Sequence, residues 1–379
     1  MSQSSSGHAG PGRATALVLE APRRLTLQEF DLPEITVDDA LMRVEACGLC
    51  GTDHEQFTGT LPTGAPFIPG HESVGLIEEI GPVAADRLGV VTGDRVAVEV
   101  FQSCRSCERC IEGNYRHCRN HGLGDMYGFV PVATPPSLWG GYATHQYLSP
   151  DSMLLKVPHG LDPVLATVFN PLGAGIRWAV TVPETKPGAV VAILGPGIRG
   201  LCAVAAVREA GAGFVMVTGH GARDAPRLEM AQRFGADLTV DVTVDDPVEA
   251  IRGSTGGLAD VVVDVTAKAP GVVAQAVELA RAGGTIVLAG TKGSAGAPGF
   301  APDMVVFKEL RILGALGVDV PAYRAALDLL ASGAYPFDEL PRRTVSLGGA
   351  ADLLVAMAGE GDETAPVHGV IVPEQGGPR

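Results

Sequence analysis

The stretch VVAILGPGIRGLCAVAAVREAG, residues 190–211, most narrows what this chain can fold into. An apolar run of strand character leads into G-x-G-x-x-G, formed by Gly195, Gly197 and Gly200, and the pattern then turns helical from Ile198 onward. Pro196, Arg199 and the glycines interrupt the apolar run, which suits a buried strand-turn-helix rather than a membrane span. The glycines meet three mechanical demands, namely a tight turn, close backbone approach to a pyrophosphate, and close packing of helix on strand. The helix start then points its free N–H groups at the phosphates. Arg199 adds a positive charge there, free either to contact phosphate or to lie in solvent. Around this unit, from about 168 to 312, the apolar runs VVAILG, GFVMVTG, DVVVDVT and TIVLAG alternate with the helical patterns RLEMAQRFGA and VVAQAVELARAG. Such alternation predicts βαβ units around a parallel sheet.

The rest of the chain has a different texture. From about 13 to 165, short β-rich runs such as ALVLEAP, SVGLIEEIGPV and DRVAVEV are separated by turn signals, as in a compact irregular β domain. After about 315, AYRAALDLLASG and VHGVIVP predict a helix and a strand that return to the first domain. With 379 residues there is chain enough for about two domains, here 13–167 and 168–314, with 315–379 returning to the first and a disordered tail over 1–12. The formal net charge of −15 argues against a nucleic-acid partner, which needs clustered Lys and Arg. The first residues lack a charged segment followed by a long apolar run, so neither a signal peptide nor a membrane anchor is expected, and the expected location is the cytoplasm. Seven cysteines in such a compartment suggest metal binding or catalysis rather than a disulfide framework.

Four of them fall in SCRSCERCIEGNYRHC. Cys104, Cys107, Cys110 and Cys118 follow C-x2-C-x2-C-x7-C, a spacing that can close a tetrahedral shell around zinc and brace a loop without chemistry. An iron–sulfur cluster is the competing reading. Cys47 and Cys50 form a second C-x-x-C in EACGLCGTDHE, followed about twenty residues later by His71 in IPGHESVG. A redox dithiol would stand at a helix start in a thioredoxin-like unit. A thiolate and an imidazole could instead share one catalytic zinc with an open position. The second strand of the βαβ region ends VMVTGHGARDAPR, with Gly219 and His220 where an acidic residue normally takes the ribose hydroxyls. Without that carboxylate a 2'-phosphate is not repelled, and His220 or Arg223 could pair with it. NADP is thereby favoured over NAD, although Asp224 or main-chain groups could still hold NAD.

Taken in order, GLCGTDHE, PGHESVGLIEEIG, GDRV, the four-cysteine run, GGYATHQYL and the Gly-rich turn resemble the zinc-dependent medium-chain dehydrogenase/reductases, the alcohol and polyol dehydrogenase family, over about residues 13 to 375. The resemblance implies an α/β architecture: a GroES-like β-rich catalytic domain and a Rossmann doubly wound parallel-sheet cofactor domain. It also implies Cys50 and His71 as catalytic zinc ligands, Cys47 as a core residue, Thr52 on the substrate oxygen, Asp53 behind the ligand imidazole and Glu72 close behind the metal. The family's relay histidine is commonly one place later than His54, and here that place is Glu55; His54 is the candidate relay. The family's third ligand, a Cys or Glu, aligns with Asn170 in ATVFNPLGAGIRWAV, so either Asn170 or Glu72 completes the site, or the site stands empty. The expected substrate is an alcohol with its aldehyde or ketone, polyols and sugars included, and the expected assembly a dimer or tetramer. Two other functions stay open: a zinc-independent reductase of activated double bonds with the same fold, and a non-catalytic zinc and dinucleotide sensor. Phe57, Trp139 and Leu316 are candidate walls of the substrate pocket.

Overall fold

A computed structural model describes residues 12–61, 66–293, 296–360 and 365–374. The tail expected over 1–12, Gly12 aside, lies outside the described residues. The chain divides into two compact units. One is drawn from the chain up to Lys156 together with 343–364 and 369–379, and the other from 157–342 together with 365–368.

In the first unit β1 (Arg13–Ala21) and β2 (Arg24–Asp31) form an antiparallel pair. A second, antiparallel sheet is built around β3 (Ala40–Leu49), which pairs with β4 (Glu72–Ile80); β4 in turn pairs with β5 (Arg95–Val98). The short strands β6 (His145–Leu148) and β7 (Leu154–Lys156) flank β3 and β5. Val44, Met42, Ile77, Val96 and Leu148 from these strands join Val18, Phe67 and Tyr142 in one apolar core.

The second unit carries β8 (Val190–Leu194), β9 (Phe214–Gly219), β10 (Leu238–Asp241), β11 (Ala259–Asp264), β12 (Ala280–Leu288) and β13 (Arg311–Gly314). They form a parallel sheet in the order β10-β9-β8-β11-β12-β13. The chain therefore winds outward from β8 to one side and then restarts on the other. A doubly wound sheet opens a ligand crevice at the carboxyl ends of the strands where this reversal occurs. The runs VVAIL and VVVD are almost wholly buried, as strands covered on both faces must be. This is the expected α/β class.

Finally β14 (Arg342–Val345) and β15 (His368–Ile371) extend the antiparallel sheet, with Gly369 opposite Leu49 and Ile371 opposite Cys47. The expected breaks near 167 and 314 fall in the structure at 156/157 and 342/343. The helix Val320–Ser332, assigned from sequence to the return, belongs to the parallel-sheet unit: Tyr323 lies 4.8 Å from the ring of Phe169, and Asp319 pairs with Arg177 at 3.0 Å. Helical periodicity says that a face is buried, not which sheet buries it. Among the described residues no helix is long and apolar enough to cross a membrane.

Candidate active site and metal centres

At the end of β3 the chain turns into the helix Gly51–Thr58, with Cys50 as its extended N-cap residue. Asp53, three positions in, reaches back so that its Oδ2 accepts the Cys50 N–H at 2.8 Å. This arrangement satisfies a helix-end donor and fixes the carboxylate beside Cys50. His71 enters on the residue before β4. Gly70 has φ +95°, and a Cβ there would stand 2.4 Å from the Tyr142 ring, so a side chain is sterically excluded just before the histidine.

These two turns bring Cys50 Sγ to 3.1 Å from His71 Nε2, with both residues buried. The opposite nitrogen, Nδ1, faces Asp53 Oδ1 at 3.6 Å, and neither of these buried atoms has a hydrogen-bond partner. Asp53 thus stands behind the ring and leaves Nε2 to the thiol side, the usual arrangement when a carboxylate orients a metal-binding imidazole. Ideal zinc bond lengths put a thiolate sulfur and an imidazole nitrogen about 3.6 Å apart in a tetrahedral shell. The observed pair needs only a small spreading to accept a divalent ion, so these residues fit one.

Cys47, three residues earlier, is fully buried, and desolvation pushes its thiol well above the ordinary range, with Asp53 adding to the shift. Thr52 lies half-buried in the first turn of the helix, and Glu72 is buried at the start of β4 opposite Gly48. His54 Nε2 is 2.8 Å from Glu360 Oε1, and Glu360 Oε2 accepts from Arg23 at 2.8 Å. Those two donors hold the Glu360 carboxyl below its usual range. Asn170 is buried on the helix Phe169–Ile176 of the other unit, where its Nδ2 donates to the Tyr323 hydroxyl at 2.8 Å. That bond commits the amide nitrogen and leaves Oδ1, the atom a metal would use, on the other branch. Phe57 and Trp139 belong to the first core, and Leu316 is exposed.

The four-cysteine lobe is assembled by the helix Glu108–Ile111 and the turn Tyr115–His117. Cys104 Sγ lies 3.8 Å from Cys110 Sγ, and Cys107 Sγ 3.9 Å from Cys118 Sγ. A tetrahedron with zinc–sulfur bonds of about 2.3 Å has edges of about 3.8 Å, whereas bonded sulfurs would be about 2 Å apart. The Cys107 N–H and the Ser106 hydroxyl donate to Cys104 Sγ, and the Asn120 N–H donates to Cys118 Sγ. Hydrogen bonds from Ser106 bring the Cys104 thiol down to about 5, while burial pushes Cys110 up to about 12. The donor set fits a metal that would hold all four as thiolates.

At the fingerprint turn, Gly195 has φ +107°, and a Cβ on Gly200 would stand 1.9 Å from the Gly195 carbonyl oxygen. A Cβ on Gly197 would meet nothing within 4 Å, so that position faces open space at the start of the helix Ile198–Glu209. This is the cradle a pyrophosphate needs. Arg199 sits with its guanidinium 5.0 Å above the Trp178 ring. Gly219 is buried at the end of β9, while His220 and Arg223 are exposed just beyond it. Asp224, the acid nearest that strand end, accepts from the His220 N–H at 3.0 Å and pairs with Arg227 at 3.5 Å.

Sequence reasoning passed over Tyr323, Glu360 and Lys292, each paired with its partner across more than twenty residues of chain. Only the acid ending DVVVD offered a local hint, because a carboxylate closing a buried strand requires a partner.

Fold and donor sets together define a two-domain, dinucleotide-binding, zinc-binding oxidoreductase. The family model described as "Alcohol dehydrogenase GroES-like domain" matches residues 36–159, and that described as "Zinc-binding dehydrogenase" matches residues 200–332. The chain is 69% identical over 359 residues to the "Probable alcohol dehydrogenase adh" of Mycobacterium tuberculosis, covering 94% of this chain and 98% of that one. It is 31% identical over 330 residues to the sorbitol dehydrogenase of Bacillus subtilis, with 86% and 88% covered. A Sinorhizobium meliloti protein classed as a zinc-binding dehydrogenase, in a crystal structure bound to NADP, superposes with TM-score 0.80 at 32% identity, covering 96% of this chain and 100% of that one. The chain belongs to the zinc-dependent medium-chain dehydrogenase/reductase family.

Proposed function

We propose that this enzyme transfers hydride between an alcohol, polyols and sugars included, and NAD(P), with NADP preferred and with Cys50 and His71 as the core of the catalytic centre. The observation that carries this reading is the Cys50 Sγ to His71 Nε2 approach of 3.1 Å with Asp53 behind the ring. A zinc ion held there would polarise the substrate hydroxyl and lower its pKa, and a dinucleotide would take up the hydride. The chain's own groups do the rest. Cys50 and His71 supply a thiolate and a neutral imidazole, and Asp53 holds the imidazole's orientation. Thr52 would relay the substrate proton, its hydroxyl oxygen accepting that proton as its own passes outward, with His54 a later station on the way to solvent. His54 is already engaged by Glu360, which supports a positioning role at the helix end more than a first proton acceptor. The third ligand in this reading is Asn170 or Glu72. NADP preference is supported by Gly219 and by the engagement of Asp224 with His220 and Arg227.

The reading includes a homo-oligomer. Strand β13 ends the parallel sheet, and Val306 and Phe307, on the helix Pro302–Phe307 beside it, are exposed at 70% and 77%. An open strand edge beside exposed apolar side chains is a template for a second copy. Light scattering reads it out, and a monomer at working concentration would remove it.

The test combines metal analysis with a panel of alcohols and polyols against NAD and NADP. Two metals per chain and turnover that vanishes in Cys50→Ala are expected; full turnover in that variant would favour the zinc-independent reductase.

A further inference from the structure

Beyond the fingerprint turn, the carboxyl ends of β11 and β12 carry a buried polar network that none of these roles uses. Asp264, the last residue of β11, is fully buried, and Lys292 lies beyond β12 with its side chain only 13% exposed. Lys292 Nζ lies 3.0 Å from Asp264 Oδ1 and 2.8 Å from Oδ2, and it donates to the Thr266 hydroxyl at 2.8 Å and to the Thr266 carbonyl. Thr266 in turn donates its hydroxyl and its N–H to Asp264 Oδ1. The main chains are joined as well: Ala289 and Gly290 donate to the Asp264 carbonyl, and Lys268 donates to Thr291. Gly290 packs so closely that a Cβ on it would stand 2.0 Å from the Thr266 oxygen, and a Cβ on Gly195 would stand 2.9 Å from the Thr266 methyl. Lys292 therefore bridges two loops, and Thr266 carries the bridge to the fingerprint glycine.

The direction of a bound dinucleotide follows from the sheet. Its pyrophosphate takes the turn after β8, and its adenosine ribose takes the end of β9. The other half must run the opposite way, over the ends of β11 and β12. We propose that Lys292 is a positioning residue for the nicotinamide half of the cofactor, holding the loops 264–268 and 289–292 as one rigid wall through Asp264 and Thr266. The proposal rests on the dinucleotide reading of the fingerprint turn. Lys292→Met removes the side-chain bridge at similar length and leaves the Asp264 carboxylate with donors from its own loop only.

The experiment measures binding of NADPH and of 2'-phospho-ADP-ribose, which lacks the nicotinamide, to wild type and Lys292→Met by calorimetry. The expected result is about a tenfold loss for NADPH, the scale of one buried hydrogen-bond group, with the fragment unchanged within about twofold. Thr266→Val, which keeps the shape and loses the hydroxyl, should show the same selective loss at smaller size, and it carries the test if Lys292→Met fails to fold. Equal weakening of both ligands, or of neither, would overturn the positioning role while leaving the cofactor reading intact. Wild-type protein that binds neither ligand would sink the cofactor reading and the proposal together.

Discussion

At the scale of single residues, the proposed centre and cofactor site turn on where charge is absent. In the proposed reading Asn170 would offer a neutral amide oxygen at the place where the family resemblance implies a Cys or Glu, so a metal held with Cys50 thiolate and neutral His71 would keep about one more unit of positive charge. Such a centre would acidify a bound alcohol further but hold its ion less tightly. Asn170→Glu is therefore expected to slow loss of the catalytic metal to a chelator, measured as zinc retained per chain over time; unchanged retention would remove Asn170 from the ligand set. Gly219 makes the same kind of statement for the cofactor. Gly219→Asp should shift the ratio of kcat/KM toward NAD by roughly ten- to a hundredfold through repulsion of the 2'-phosphate. The new Cβ would meet Asp224 and Leu228 at 3.1 Å, so a modest loss of stability is expected with it. A wild-type enzyme that already prefers NAD would refute the reading of this strand end.

Among the elements, the four-cysteine lobe is the one whose stability depends on a ligand it cannot supply itself. Its helix spans only Glu108–Ile111 and buries none of its four residues, so packing contributes little and the sulfur cluster must hold the turn together. Metal binding at such a site is folding free energy. Cys107→Ser should release one zinc per chain and lower the melting temperature while the Cys50 site initially keeps its ion. Unchanged zinc content would refute the structural-zinc assignment. The lobe was legible in the sequence because its ligands lie within fifteen residues. The helix Gly51–Thr58 was legible only in part: GTDHE named the residues, but the tie from His54 to Glu360 joins positions 306 apart in the chain.

For the molecule as a whole, the last strand carries a pH dependence. His368, the first residue of β15, is fully buried, bonded to the Thr167 hydroxyl at 3.1 Å and to Arg342 Nε at 3.0 Å. Burial, and then the charge of Arg342, bring its pKa down to about 3 from 6.5. The unfolded chain therefore binds a proton that the folded chain refuses. Stability from this group is complete above about pH 6.5 and declines as pH falls toward 3, by at most about 1.4 kcal/mol per pH unit. His368→Gln should flatten that decline in denaturation midpoints measured between pH 7 and pH 5, whatever it does to stability at pH 7. Parallel profiles for variant and wild type would show that other groups carry the acid sensitivity.

What the sequence determined by itself was whatever is written in short range. The alternation of strands and helices, the three glycines of the turn after β8, the spacing of the lobe cysteines and the order of motifs were enough for the α/β class and the family, because each reports a local geometric demand. The tertiary structure decided which distant groups meet. It placed the helix Val320–Ser332 against Phe169, set Tyr323 on the Asn170 amide nitrogen, turned Asp53 behind His71, and closed Lys292 onto Asp264. Hydrophobic periodicity fixes that a face is buried, and only the packed chain fixes its neighbour. A buried polar group has to find its partner within hydrogen-bond reach in space, and nothing in the spacing along the chain says which residue that will be.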